Sequence, residues 1–109
     1  MATIDPTAFA ELQASTGADF VVELVSTFFE EAPPMIAELR SALATGHAER
    51  FRRAAHSLKT NAQTFGAMGL AMQARALEHG GLPADAGGID ALQAQYDAAV
   101  AALKALIHG

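Results

Sequence analysis

The 109-residue chain contains no cysteine and no tryptophan, and only 17% of its side chains carry charge. The missing cysteines rule out a disulfide framework, a thiolate zinc site and a cysteine nucleophile. Basic residues are scarce as well. Seven Lys and Arg stand against twelve Asp and Glu, a net charge of −5 that disfavours a nucleic-acid backbone as the main partner. No apolar run reaches the roughly 18–20 residues that cross a bilayer. The opening MATIDPTAFAELQ has no basic segment leading into an apolar one, so no secretory signal is read there. A soluble cytoplasmic protein with no membrane partner is expected. There is no glycine-rich phosphate loop either, and a chain of this size leaves no room for an ATP-binding domain, which argues against an autokinase. The length suits a single domain, residues 1–109.

What the chain does have is alanine, and apolar residues that recur at three- and four-residue steps, the helical period. Five helices are expected. Asp5 can cap a short first helix with Pro6 at its first position; it buries Phe9 and Leu12 and ends at Ser15-Thr16-Gly17. The second carries Val21, Leu24, Val25, Phe28, Ala32, Ile36, Leu39 and Leu43 on one stripe, and Pro33-Pro34 should kink it or split it in two. A third, about His47 to Phe65, places Phe51, Ala54, Ala55, Leu58, Ala62 and Phe65 on one face before Gly66 breaks the register. A fourth, about Ala67 to His79, buries Leu70, Ala74 and Leu77 and stops at Gly80-Gly81. After the loop LPADAGG, a fifth runs from about Ile89 to Ile107 with a stripe of Ile89, Leu92, Tyr96, Val100, Leu103 and Ile107. Four long amphipathic helices with short connections imply an all-α fold, an antiparallel four-helix bundle with an additional short N-terminal helix packed on it.

His56 lies in the middle of the third helix. At about 100° per residue it points about 140° away from that helix's apolar direction, with Lys59 at about 80°, Gln63 at about 120°, and Arg52 and Thr60 on the same outer side. It therefore faces solvent and is not a core histidine; an ordinary surface histidine is the plain alternative. Four of the seven basic residues, Arg50, Arg52, Arg53 and Lys59, fall within ten positions around it and predict a local field that favours an anion. Folding the third and fourth helices back at Gly66-Ala67 brings His56, eleven before Ala67, level with Glu78, eleven after it, and Lys59 level with Arg75. A carboxylate that accepts from one imidazole nitrogen fixes the tautomer and leaves the other nitrogen as a nucleophile. A lysine one turn along can neutralise a phosphoryl group. An exposed nucleophile, an orienting carboxylate and a cation fit phosphoryl capture.

His56, Leu58, Lys59, Gly66, Ala67, Leu70, Leu77 and Glu78 together resemble the pattern of the histidine-containing phosphotransfer (HPt) domain of multistep His-Asp phosphorelays. The helical plan and the proline in the second helix look like the family too. The resemblance implies that His56 is phosphorylated, that Lys59 helps hold the phosphoryl group and that Glu78 bonds the imidazole. The donor would be a receiver-domain aspartate of a hybrid histidine kinase and the acceptor a response-regulator receiver domain. Such a protein is a stoichiometric phosphocarrier with no cofactor of its own, the Mg2+ being supplied by the receiver. Docking is expected around His56, at Arg52, Ala55, Thr60 and Gln63, over an apolar patch made by Ala55 with Phe51 at its edge. Thr60 departs from the family, many members of which carry glycine there. A monomer is expected, and the Ala/Gly-rich composition hints at a GC-rich bacterial genome.

A metal or haem site is the rival suggested by four histidines, but none of them pair at i, i+4 and no Glu-x-x-His occurs. His47, His79 and His108 sit near helix ends, where His79 answers the helix dipole. The four methionines and Phe28-Phe29 read as core filling. The rival of another class is a helical docking module that binds receiver domains and is never phosphorylated.

Overall fold

The computed structural model describes residues 3–108. Five helices follow one another: α1 (Pro6–Thr16), α2 (Ala18–Thr45), α3 (Ala48–Thr64), α4 (Met68–His79) and α5 (Gly87–His108). The last four close a ring in which α2 packs on α3, α3 on α4, α4 on α5 and α5 back on α2, while α1 lies against α2. This is the expected all-α bundle with an extra N-terminal helix. The 28 residues of α2, at about 1.5 Å each, account for the 41 Å long dimension of the molecule.

Local chemistry sets the ends. The Asp5 carboxylate accepts from the Thr7 amide at 3.0 Å and caps α1, with Pro6 at the first position where a missing N–H is harmless. At the end of α2, Gly46 takes φ +73° and the His47 amide donates back to Ala42 O at 2.9 Å. Gly66 repeats that arrangement after α3, at φ +74° with the Ala67 amide on Ala62 O at 2.9 Å. Both are Schellman turns, which satisfy the last carbonyls and reverse the chain. The Asp5 amide also donates to Gly66 O at 2.8 Å, so the start of α1 is tied onto the α3–α4 turn.

Two expectations need correction. Pro33 and Pro34 do not split α2, which runs through them as one helix. Both prolines are exposed while Ala32 and Ile36 on either side are buried, so packing of the inner stripe holds the helix together. The carbonyl that Pro33 leaves without an amide, Phe29 O, faces the Tyr96 hydroxyl of α5 at 3.5 Å, a long contact that gives it a donor. Nor is LPADAGG wholly a loop, because α5 begins at Gly87. Asp85 Oδ1 accepts from the Gly87 amide at 2.9 Å, and a Cβ on Gly88 would stand 2.9 Å from Leu77 Cδ2, so the two glycines let α5 start hard against the end of α4.

The core is one cluster drawn from every helix. Phe28 stacks near Phe65 and meets Tyr96 edge-on, with ring centroids 5.1 and 5.6 Å away, and so joins α2, the end of α3 and α5. Ile4, ahead of α1, is also buried there, which its isolated position in sequence did not signal. Among the described residues no helix is long and apolar enough to cross a membrane.

Candidate functional site

The inner face of α3 is set by Phe51, Ala54, Ala55, Leu58 and Ala62, all buried. That anchors the helix's rotation and turns His56 outward, its side chain 55% exposed. The α3–α4 turn then brings Glu78 alongside. His56 Nδ1 and Glu78 Oε2 are 2.7 Å apart. A carboxylate only accepts, so Nδ1 carries the proton and donates, and Nε2 on the opposite edge of the ring keeps its lone pair. The Glu78 side chain is only 7% exposed, sheltered between the two helices.

Its second oxygen is occupied as well. Lys59 Nζ stands 2.7 Å from Glu78 Oε1 and is itself largely covered, 17% exposed. The contact is an ion pair at hydrogen-bonding distance between two largely covered groups. Lys59, and to a smaller degree His56, hold the Glu78 carboxyl down to about 2, against a desolvation that pushes the other way. His79 Nε2 lies 3.8 Å from the same oxygen, too far for a hydrogen bond. Lys59 thus reaches along its four-carbon stem to Glu78.

The expected basic field around His56 is largely neutralised. Arg50 forks onto Glu38 of α2 with bonds of 2.9 and 2.6 Å. Arg52 forks onto Glu49 one turn earlier on its own helix at 3.1 and 2.6 Å, and Arg53 approaches the same carboxylate at 3.9 Å. Each carboxyl is accordingly pulled below its ordinary value, Glu38 chiefly by Arg50 and Glu49 chiefly by Arg52. With Lys59 on Glu78, all four cations have a carboxylate partner. Arg52 and Arg53 share Glu49, so the four cations meet three carboxylates and a single net positive charge is left, the rest being matched one turn away or across the α2–α3 seam.

The residues expected around His56 divide. Arg52 is exposed but held by Glu49. Thr60 is exposed, and its hydroxyl donates to His56 O at 3.1 Å, so the side chain folds back along its own helix and stands little proud of it. Gln63 is exposed two turns beyond His56. Ala55 does not belong with them. It is 0% exposed and Phe51 is 1% exposed, so neither can form a surface patch; a rotation of about 100° from His56 carries Ala55 into the core. The apolar surface that does lie beside His56 is an open groove of about 630 Å³ between α2 and α3, floored by Pro34, Met35 and Ala54 and edged by Arg53 and Ser57. On the other flank, exposed Met72 and Arg75 of α4 border a smaller depression of about 260 Å³. Sequence reasoning missed Glu38 and Glu49. The spacing of Glu49 to Arg52 and Arg53 could have shown the second, whereas nothing local links Glu38 to Arg50.

No curated protein and no solved structure matched the chain. A family model did: that of the Hpt domain matches residues 23–102, which include α3, α4 and most of α2 and α5. With His56 standing out from a helical bundle whose order and turns follow that pattern, the chain belongs to the Hpt domain family, the phosphocarriers of His-Asp phosphorelays.

Proposed function

We propose that His56 is the residue that carries the phosphoryl group. The reading rests on one observation above others: an exposed imidazole whose Nδ1 is engaged by a buried carboxylate at 2.7 Å, which leaves Nε2 free toward solvent. The Nε2 lone pair attacks the phosphorus of a receiver's aspartyl phosphate, the P–O bond to the aspartate breaks, and the aspartate departs with the electron pair. The product ring is an imidazolium, its Nδ1–H retained and stabilised by Glu78. Exposure supports the step, because in-line transfer needs the two reacting atoms to approach end to end. Lys59, one turn from His56, is the cation nearest to hand for the incoming oxygens.

The donor in this reading is the receiver domain of a hybrid histidine kinase, and the acceptor is a response-regulator receiver domain that brings its own Mg2+. The protein works as a single domain and a monomer in the cytoplasm, as a stoichiometric carrier. Receivers dock over the outer face of α3, touching Arg52, Thr60 and Gln63, with the Pro34–Met35–Ala54 groove giving the apolar contact first assigned to Ala55. Incubation with a receiver domain labelled on its aspartate tests this. Acid-labile, alkali-stable label on the wild type and none on His56→Gln is expected, with the two proteins equally folded. Binding of receivers without any transfer of label would overturn it in favour of the docking module.

A further inference from the structure

Glu78 has two charged neighbours and cannot serve both equally once a phosphoryl group arrives. In the unloaded protein its Oε2 takes the His56 Nδ1–H and its Oε1 takes the charge of Lys59, each at 2.7 Å. The three groups sum to zero formal charge with a neutral ring. Transfer of a phosphoryl dianion to Nε2 turns the ring into an imidazolium and places anionic oxygens one helical turn from Lys59. The ammonium then faces two anionic claimants, the Glu78 carboxylate and the phosphoryl oxygens. Arg50 is taken up by Glu38, and Arg52 and Arg53 share Glu49.

We infer that Glu78 limits how long the phosphoryl group is held, by competing with it for the Lys59 ammonium. The inference rests on His56 being the phosphoryl carrier. Three features support it. Lys59 reaches Oε1 at 2.7 Å on a flexible four-carbon stem, so its ammonium can pass from the carboxylate to a phosphoryl oxygen without any movement of the backbone. Its side chain is shielded, so the contact is weakened less by water and salt than a fully exposed pair would be. A carboxylate on Nδ1 also stabilises the imidazolium, the ring form from which the P–N bond breaks most readily, because the leaving nitrogen departs as a neutral imidazole. Glu78 is therefore a positioning residue with two opposed effects: it speeds loading by orienting the ring, and it shortens retention by keeping Lys59 from the phosphoryl group.

The test is Glu78→Gln, which keeps an acceptor for Nδ1–H and removes the charge that binds Lys59. Wild type, Glu78→Gln, Lys59→Ala and the double variant are loaded from a receiver domain labelled with radioactive acetyl phosphate, purified and followed for loss of label at neutral pH. Glu78→Gln should load more slowly yet lose label about three- to tenfold more slowly, the scale of one relocated charge contact at a partly covered site. In the Lys59→Ala background the same change should lengthen retention far less. An unchanged or shortened lifetime in Glu78→Gln, or a gain as large without Lys59, would overturn the inference. A wild type that takes no label would instead sink the carrier reading on which it stands. Should Glu78→Gln fail to fold, the wild type alone decides: the Lys59 15Nζ resonance should shift on phosphorylation, and an unmoved resonance would refute the exchange.

Discussion

Gly46 and Gly66 make a matched pair from which the packing of α1 can be measured. Both end a helix in the same turn, with φ of +73° and +74°. Alanine at either position suffers the left-handed conformation, about 1–2 kcal/mol, partly offset by about 0.4–1 kcal/mol because alanine restricts the unfolded chain. Their surroundings differ. A Cβ on Gly46 meets nothing within 4 Å, whereas one on Gly66 would stand 3.0 Å from Ala8 Cβ, 3.1 Å from Asp5 O and 3.3 Å from Asp5 Cβ. Two of those three atoms belong to Asp5, one of them backbone, so the contact cannot be relieved by turning a side chain; α1 must move. Overpacking of this kind costs about 1–3 kcal/mol. Gly46→Ala should therefore lose about 0.5–1 kcal/mol and Gly66→Ala about 1–3 kcal/mol more, read as the difference between their urea midpoints. The Asp5 amide, which donates to Gly66 O at 2.8 Å, should exchange its hydrogen faster in Gly66→Ala alone. Equal losses in the two variants, with Asp5 exchange unchanged, would refute the claim that α1 is seated on that turn by the absence of a side chain.

Leu58→Ala, which empties a fully buried position directly beneath the His56 helix face, should cost about 2–5 kcal/mol by urea denaturation. Ala55→Arg should unfold or strongly destabilise the protein before it changes receiver affinity in any selective way, since Ala55 is wholly enclosed; a folded variant with altered binding alone would restore Ala55 to the surface. The folded protein binds the Glu78 proton less tightly than the unfolded chain does, because the carboxyl lies at about 2 against an ordinary 4.5. The stability Glu78 adds is thus complete above pH 4.5 and is lost as pH falls from there toward 2. Lys59→Ala removes the largest cause, so its urea midpoint should vary less steeply over that range than the wild type's, and parallel curves would show that Lys59 is not what holds the proton off. Thr60→Gly should leave phosphoryl uptake close to wild type, because the hydroxyl already lies back on His56 O.

The parts of this protein that were legible in its sequence are those governed by one helix at a time. The period of α3 gave the outward phase of His56, and the Gly66 turn gave its level with Glu78 by simple counting. Where the outcome depended on side-chain reach or on a neighbouring helix, local rules fell short. Counting residues set the level of Lys59 along the hairpin but not its partner, because a flexible four-carbon stem can reach the sheltered carboxylate of Glu78. Pro33 and Pro34 look like helix breakers until Ala32 and Ile36 are seen locked in the core on either side of them. The Arg50–Glu38 fork joins positions twelve apart on different helices, and no local spacing announces it. Ala55 is buried by the same helical period that turns His56 outward, so its place in the core is legible from sequence.

If His56 carries the phosphoryl group as proposed, its largely neutralised surroundings suit a group that must leave as readily as it arrives. A site lined with free cations would bind a phosphoryl dianion strongly, and a carrier with a deep well for its cargo stalls after the first transfer, since each 1.36 kcal/mol of extra stabilisation slows departure about tenfold. Here Arg50 forks onto Glu38, Arg52 and Arg53 share Glu49, and Lys59 lies on Glu78, the carboxylate that also bonds the ring. The imidazole is oriented by a directed bond at Nδ1, and in the proposed reading the electrostatic hold on a group at Nε2 is kept shallow. Orientation favours loading and unloading alike, because it lowers the barrier that both cross; charge would favour only one side of it.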